Sequence, residues 1–98
     1  MGWRRFTERK NCNDLILLDI GLPTLDGIAA ARQIRELVPK ARIAFLTQES
    51  SAYIVQEAFS IGAMGYVMKI DALHLPDAVD AVVDGRQFVS PALSMQVQ

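Results

Sequence analysis

Three short apolar runs recur along the chain: Leu15 to Leu18, Ile43 to Leu46 and Tyr66 to Met68. Each is partly β-branched or aromatic and is bounded by turn residues, the pattern of strands buried on both faces. Between and after them lie segments with helical spacing. Ile28, Ala31, Ile34 and Val38 make one stripe; Ile54, Val55, Ala58, Phe59 and Gly62 a second; Leu75, Ala78, Val79 and Val82 a third. Strands and helices alternating over such short connections imply parallel strands joined by right-handed crossovers. The expected fold is α/β, a doubly wound parallel sheet of three strands with three main helices. The first two helices should cover one face and the third the other.

Turn chemistry sets the boundaries. Asp26 can cap a helix beginning near Gly27, and Pro39 marks its end because the residue before a proline resists helical conformation. Ser50 or Ser51 can cap the second helix and Gly62 can stop it in a left-handed conformation. Pro76 is tolerated in the first turn of the third, and Gly85 closes it. Residues 3 to 13 can form a short helix with Trp3 and Phe6 on one side. The stretch "QFVSPALSMQVQ" reads as an extended piece, a break at Ser90-Pro91 and one helical turn. The division is therefore an N-terminal segment over 1–13, a domain over 14–93 and a tail over 94–98.

At 98 residues the chain has room for one core. A composition 51% hydrophobic and 21% charged fits a soluble globular domain. A net charge of −1 gives no long-range field for gathering nucleic acid or anionic lipid, so neither is an expected direct partner. The basic residues Arg4, Arg5, Arg9 and Lys10 read as a solvated terminus. A single cysteine, Cys12, cannot close an internal disulfide and points to a reducing compartment. No apolar run approaches the ~20 residues of a membrane span. Met1-Gly2 lacks the Ser or Thr a myristoylation start needs, since Phe6 stands there. A cytoplasmic location is expected.

In a parallel α/β sheet, functional groups gather at the carboxyl ends of the strands. The three runs end at Asp19, Thr47 and Lys69, bringing a carboxylate, a hydroxyl and an ammonium to one rim. An anionic group on Asp19 would find Lys69 as counter-charge and Thr47 as hydrogen-bond donor. An aspartate can be the nucleophile that takes a phosphoryl group when cations neutralise the charge on the transferred oxygens. Gly21 and Pro23 supply the tight bend beyond it.

These residues resemble the receiver domain of two-component response regulators, most closely the NarL/FixJ type coupled to LuxR-like helix-turn-helix outputs. The resemblance covers roughly residues 14 to 93. In "LLDIGLPTLDG", Asp19 stands at the phosphoacceptor position, Pro23 at the loop proline, and Asp26-Gly27 at the entry to the next helix. In "FLTQ", Thr47 matches the switch hydroxyl; in "GAMGYVMK", Tyr66 matches the switch aromatic and Lys69 the family lysine. "VVDGRQFVSPAL" is similar to the junction leading to the output domain. The resemblance implies a flavodoxin-like fold, a histidine kinase as partner, no enzymatic turnover of its own, and Mg²⁺ held in part by Asp19 and the carbonyl of Gly21.

Two positions depart from the family. Ile70 follows Lys69 where many receivers carry proline. The family's opening strand, helix and second strand, with the pair of acids that hold Mg²⁺, do not precede Asp14, so the chain reads as N-terminally truncated. Asp14 lies about 16 Å along the strand from Asp19, too far to replace them. Glu49 and Asp71 are the acids just past strand ends. With one carboxylate, phosphoryl transfer is expected to be slow or absent. The Asp19 strand is expected to be an exposed edge, covered by a homodimer through that edge or through the 51–84 surface, or shielded by the segment carrying Trp3 and Phe6. Three functions follow: a phosphorelay receiver with Asp19 as acceptor, a degenerate receiver binding partners without phosphorylation, and an aspartate-nucleophile phosphatase. The last is weakened by Gly21, which occupies the place of the second acid such enzymes use.

Overall fold

The computed structural model describes residues 2–8, 13–21 and 23–96. Met1, Arg9, Lys10 and Cys12 lie outside the described residues, as do positions 97–98. The strands are β1 (Gly2–Glu8), β2 (Asn13–Asp19), β3 (Arg42–Thr47), β4 (Gly65–Met68) and β5 (Phe88–Val89). The helices are α1 (Thr24–Leu37), α2 (Ala52–Ser60), α3 (Leu75–Val83) and α4 (Pro91–Gln96), with a 3-10 turn over Lys69–His74 leading into α3. The sheet runs β1-β2-β3-β4-β5. β2 to β5 are mutually parallel, so the described sheet has four parallel strands where three were expected. The added one is the extended piece at Phe88–Val89, which pairs with Gly65 and Tyr66.

The N-terminal segment corrects the sequence reading. Residues 2–8 are a strand, not a helix, and run antiparallel to β2 from Gly2 opposite Asp19 to Glu8 opposite Asn13. The reason is the open side of β2, whose backbone N–H and C=O groups need partners more than the segment's own spacing needs a helix. The expected bare edge of β2 is therefore paired within the chain.

Helix α1 begins three residues before the expected Gly27. Its N-cap is Pro23, in extended conformation, and Asp26 sits in the first turn, where its charge favours the helix dipole without capping it. Gly27 instead allows close approach, because a Cβ there would fall 2.2 Å from Ile20 Cδ1. Ser51 is the N-cap of α2 by position, with no side-chain bond to the helix. Gly62 ends α2 at φ 93° and Gly85 ends α3 at φ 81°, left-handed conformations that favour glycine. The end of α1 near Pro39 and Pro76 in the first turn of α3 agree with expectation. Helix α4 runs on to Gln96, so the expected tail begins inside a helix.

The core lies on both faces of the sheet. On one, Ile16, Leu18, Ile43, Phe45 and Tyr66 meet Ile28 and Ala31 of α1, Ile54 and Ala58 of α2, and Leu93 of α4. On the other, Leu15, Leu17 and Ala44 meet Val82 of α3, with Leu75 and Val79 beside it. The two-against-one distribution of the main helices is thus as expected. Two arginines fasten the ends away from the rim. Arg35 donates to the carbonyls of Pro39 (3.0 Å), Ala41 (2.7 Å) and Gly62 (2.8 Å), tying the end of α1 to the end of α2. Arg42 donates to the carbonyls of Val82 and Val83 at the end of α3.

Candidate functional site

Side-chain alternation decides what reaches the rim. Along β2, Leu15 and Leu17 turn to the α3 face and Ile16 and Leu18 to the α1/α2 face, so Asp19 follows the parity of Leu17. The strand ends there, and its carboxylate stands 53% exposed, 3.1 Å from Lys69 Nζ, itself 36% exposed. Lys69 is delivered by β4, whose four residues are all buried. Beyond Asp19 the chain is locked to β3 by Ile20 N–H donating to the Leu46 carbonyl at 2.8 Å.

Thr47 ends β3 but belongs to other neighbours. It is fully buried, and its hydroxyl lies 2.9 Å from that of Thr24, the first residue of α1. It also accepts the N–H of Glu49 at 3.3 Å. The structure thus joins Asp19 to Lys69, while the hydroxyl of the third rim residue bonds Thr24 of α1 and the Glu49 N–H of the following loop. Sequence reasoning passed over Thr24; the available signal was a hydroxyl residue between Pro23 and the helical stripe, one strand width from Thr47.

Tyr66 is fully buried and donates its hydroxyl to the Glu49 carbonyl at 2.7 Å, with its ring edge-on to Phe45 at 6.0 Å between centroids. Burial, then the nearby Glu49 charge, pushes its ionisation well above the usual phenol range. Thr47 and Tyr66 therefore both bond the backbone of Glu49, the first accepting its N–H and the second donating to its carbonyl. Asp71, two residues past Lys69, accepts the Ser90 hydroxyl and the Ala92 N–H at 2.9 Å. Those bonds, with His74 adding a smaller effect, hold its carboxyl below the ordinary aspartate range.

The carboxylates near the rim do not fit a Mg²⁺ shell. Among the described residues no group of three or more His, Cys, Asp or Glu is placed to hold a metal ion. Glu49 Oε1 accepts the Ser51 N–H at 2.9 Å and Asp71 is taken by Ser90 and Ala92, so both are turned to the protein's own donors. Asp19, with the Gly21 carbonyl beside it in sequence, falls short of the six oxygens Mg²⁺ requires unless water and phosphate supply most of them.

The comparisons with known proteins decide the lineage. The family described as the response regulator receiver domain matches residues 3–80. The chain belongs to that family. This receiver domain is 36% identical over 76 residues to the Fimbriae Z protein of Salmonella typhimurium, covering 76% of this chain and 36% of that protein. It is 29% identical over 98 residues to the transcriptional regulatory protein LnrK of Bacillus subtilis, covering 98% of this chain and 44% of that one. Among solved structures, a LuxR-family two-component response regulator from Aurantimonas sp. SI85-9A1 superposes with a TM-score of 0.73 at 35% identity, covering 83% of this chain and 59% of that one. The isolated REC domain of RcsB from Salmonella enterica serovar Typhimurium gives 0.68 at 27% identity, covering 83% and 62%. The receiver domain thus spans less than half the length of either of these two curated relatives, the Fimbriae Z protein and LnrK. No described helix is long and apolar enough to cross a membrane.

Proposed function

We propose that this receiver domain takes a phosphoryl group on Asp19 from a histidine kinase and that the modification is read by an output partner. The observation that carries the reading is the half-exposed Asp19 carboxylate paired at 3.1 Å with Lys69. A carboxylate oxygen of Asp19 attacks phosphorus, the O–P bond forms as the donor's N–P bond breaks, and the electron pair leaves on the imidazole nitrogen, which takes up a proton. Lys69 neutralises charge on the transferred oxygens. Thr47 and Tyr66 carry the change through residues 47–49 toward α2, within the surface over 51–84. Mg²⁺, when bound with phosphate, would add cationic charge at the same oxygens; the residues described do not assemble a site for it unaided.

Transfer is therefore slow. Incubation with Mg²⁺ and acetyl phosphate should label the protein over hours, and Asp19→Asn should abolish the label while moving stability by less than about 1 kcal/mol, as exposed ion pairs contribute little. Labelling that survives Asp19→Asn overturns the assignment. The lack of a fitting metal shell among the described residues favours a second reading, a receiver that binds its partner unphosphorylated; partner affinity unchanged by Asp19→Asn and by beryllofluoride would establish it.

A further inference from the structure

We propose that Thr24 is a positioning residue: its hydroxyl holds that of Thr47 in the seam between α1 and β3, and the pair must part before Thr47 can bond a phosphoryl oxygen. The release step rests on Asp19 being the acceptor; the clasp does not. The two oxygens are 2.9 Å apart across 23 residues of sequence. Thr24 is 2% exposed and Thr47 0%, so water does not compete for the bond. A hydroxyl at a helix start usually caps the helix. Here Pro23 is the N-cap, which frees Thr24 to face the sheet.

A phosphoryl oxygen only accepts, so Thr47 must donate to it. Asp19 is half exposed and Thr47 fully buried, so bringing the hydroxyl to an anion on Asp19 takes a χ1 rotation into another staggered well. That rotation moves the oxygen off Thr24 and off the Glu49 N–H together. The clasp therefore opposes the phosphorylated arrangement by the worth of a buried hydrogen bond, and its loss leaves the Glu49 N–H as the one described bond holding the Thr47 hydroxyl in place. Thr24 tunes how readily the switch is thrown without touching the reacting atoms.

The test pairs Thr24→Val, which keeps the shape and removes the hydroxyl, with Thr24→Ser, which keeps the hydroxyl. Three-bond couplings to the Thr47 methyl carbon report its χ1 in the free protein. Wild type and Thr24→Ser should show one rotamer and Thr24→Val an average of two. With Mg²⁺ and beryllofluoride, Thr24→Val should bind about five-fold tighter than wild type and Thr24→Ser within about two-fold, the ratio expected of one net hydrogen bond. Unchanged couplings in Thr24→Val, or Thr24→Ser behaving like Thr24→Val, overturns the clasp. Averaged couplings with unaltered beryllofluoride affinity overturn the release step. Couplings as expected with no beryllofluoride binding in any variant uphold the clasp and sink the phosphoacceptor reading instead.

Discussion

The Asp71 carboxylate receives the hydroxyl of Ser90, which lies 19 residues ahead in the chain, and through the same oxygen takes the N–H of Ala92 in the first turn of α4. One side chain past the Lys69 strand end thereby secures the segment after β5, and Leu93 follows it into the larger core cluster.

That bond makes stability depend on pH. The carboxyl of Asp71 titrates below its unfolded value of about 3.9, so its contribution is complete above that value and disappears as pH falls through the lowered folded one. The stability difference between wild type and Asp71→Asn, from urea unfolding, should be flat from pH 7 to 5 and shrink steadily below about pH 4. A difference that grows on acidification would contradict the geometry.

Arg35 bridges three carbonyls from two helix ends, a span that only a planar guanidinium can cover. Arg35→Ala should cost about 1–2 kcal/mol in urea unfolding, and Arg35→Lys should recover less than half, because a point ammonium cannot reach all three. Full recovery by lysine would show that charge alone matters there.

Tyr66 should resist ionisation while the fold persists. In a Tyr53→Phe background, phenolate absorbance should be absent at pH 10 to 11 and emerge only with unfolding. Because its folded pKa is raised, the stability it supplies is whole below about pH 10 and declines as pH climbs beyond. Tyr66→Phe should remove that alkaline dependence and cost about 1 kcal/mol at pH 7 for the lost bond to the Glu49 carbonyl.

Much of this was legible in the sequence because burial imposes period and punctuation. Leu15 to Leu18, Ile43 to Leu46 and Tyr66 to Met68 all lie within strands, and Gly62 and Gly85 adopt the left-handed turns their positions suggested. The 3.1 Å contact between Asp19 and Lys69 follows from parallel strands ending at one rim. What failed depended on partners far away in the chain. Trp3 and Phe6 fit one side of a helix, yet the open side of β2 took the segment as a strand. Asp26 has a capping side chain, but the extended Pro23 had already set the helix start. The Thr24–Thr47 bond joins an ordinary turn residue to an ordinary strand end, and neither announces the other.

The uneven cladding of the sheet bears on how the rim acid and its cation stay together. The side closed by α3 rests on few core residues, and α3 is continuous with the 3-10 turn that starts at Lys69. Amides there should exchange with solvent sooner than those beneath α1 and α2, in sub-global openings that leave β2 and β3 zipped. Each such excursion would carry Lys69 off while Asp19 stays at its strand tip, so the ammonium is a part-time companion whose tenure is set by how tightly one helix lies down.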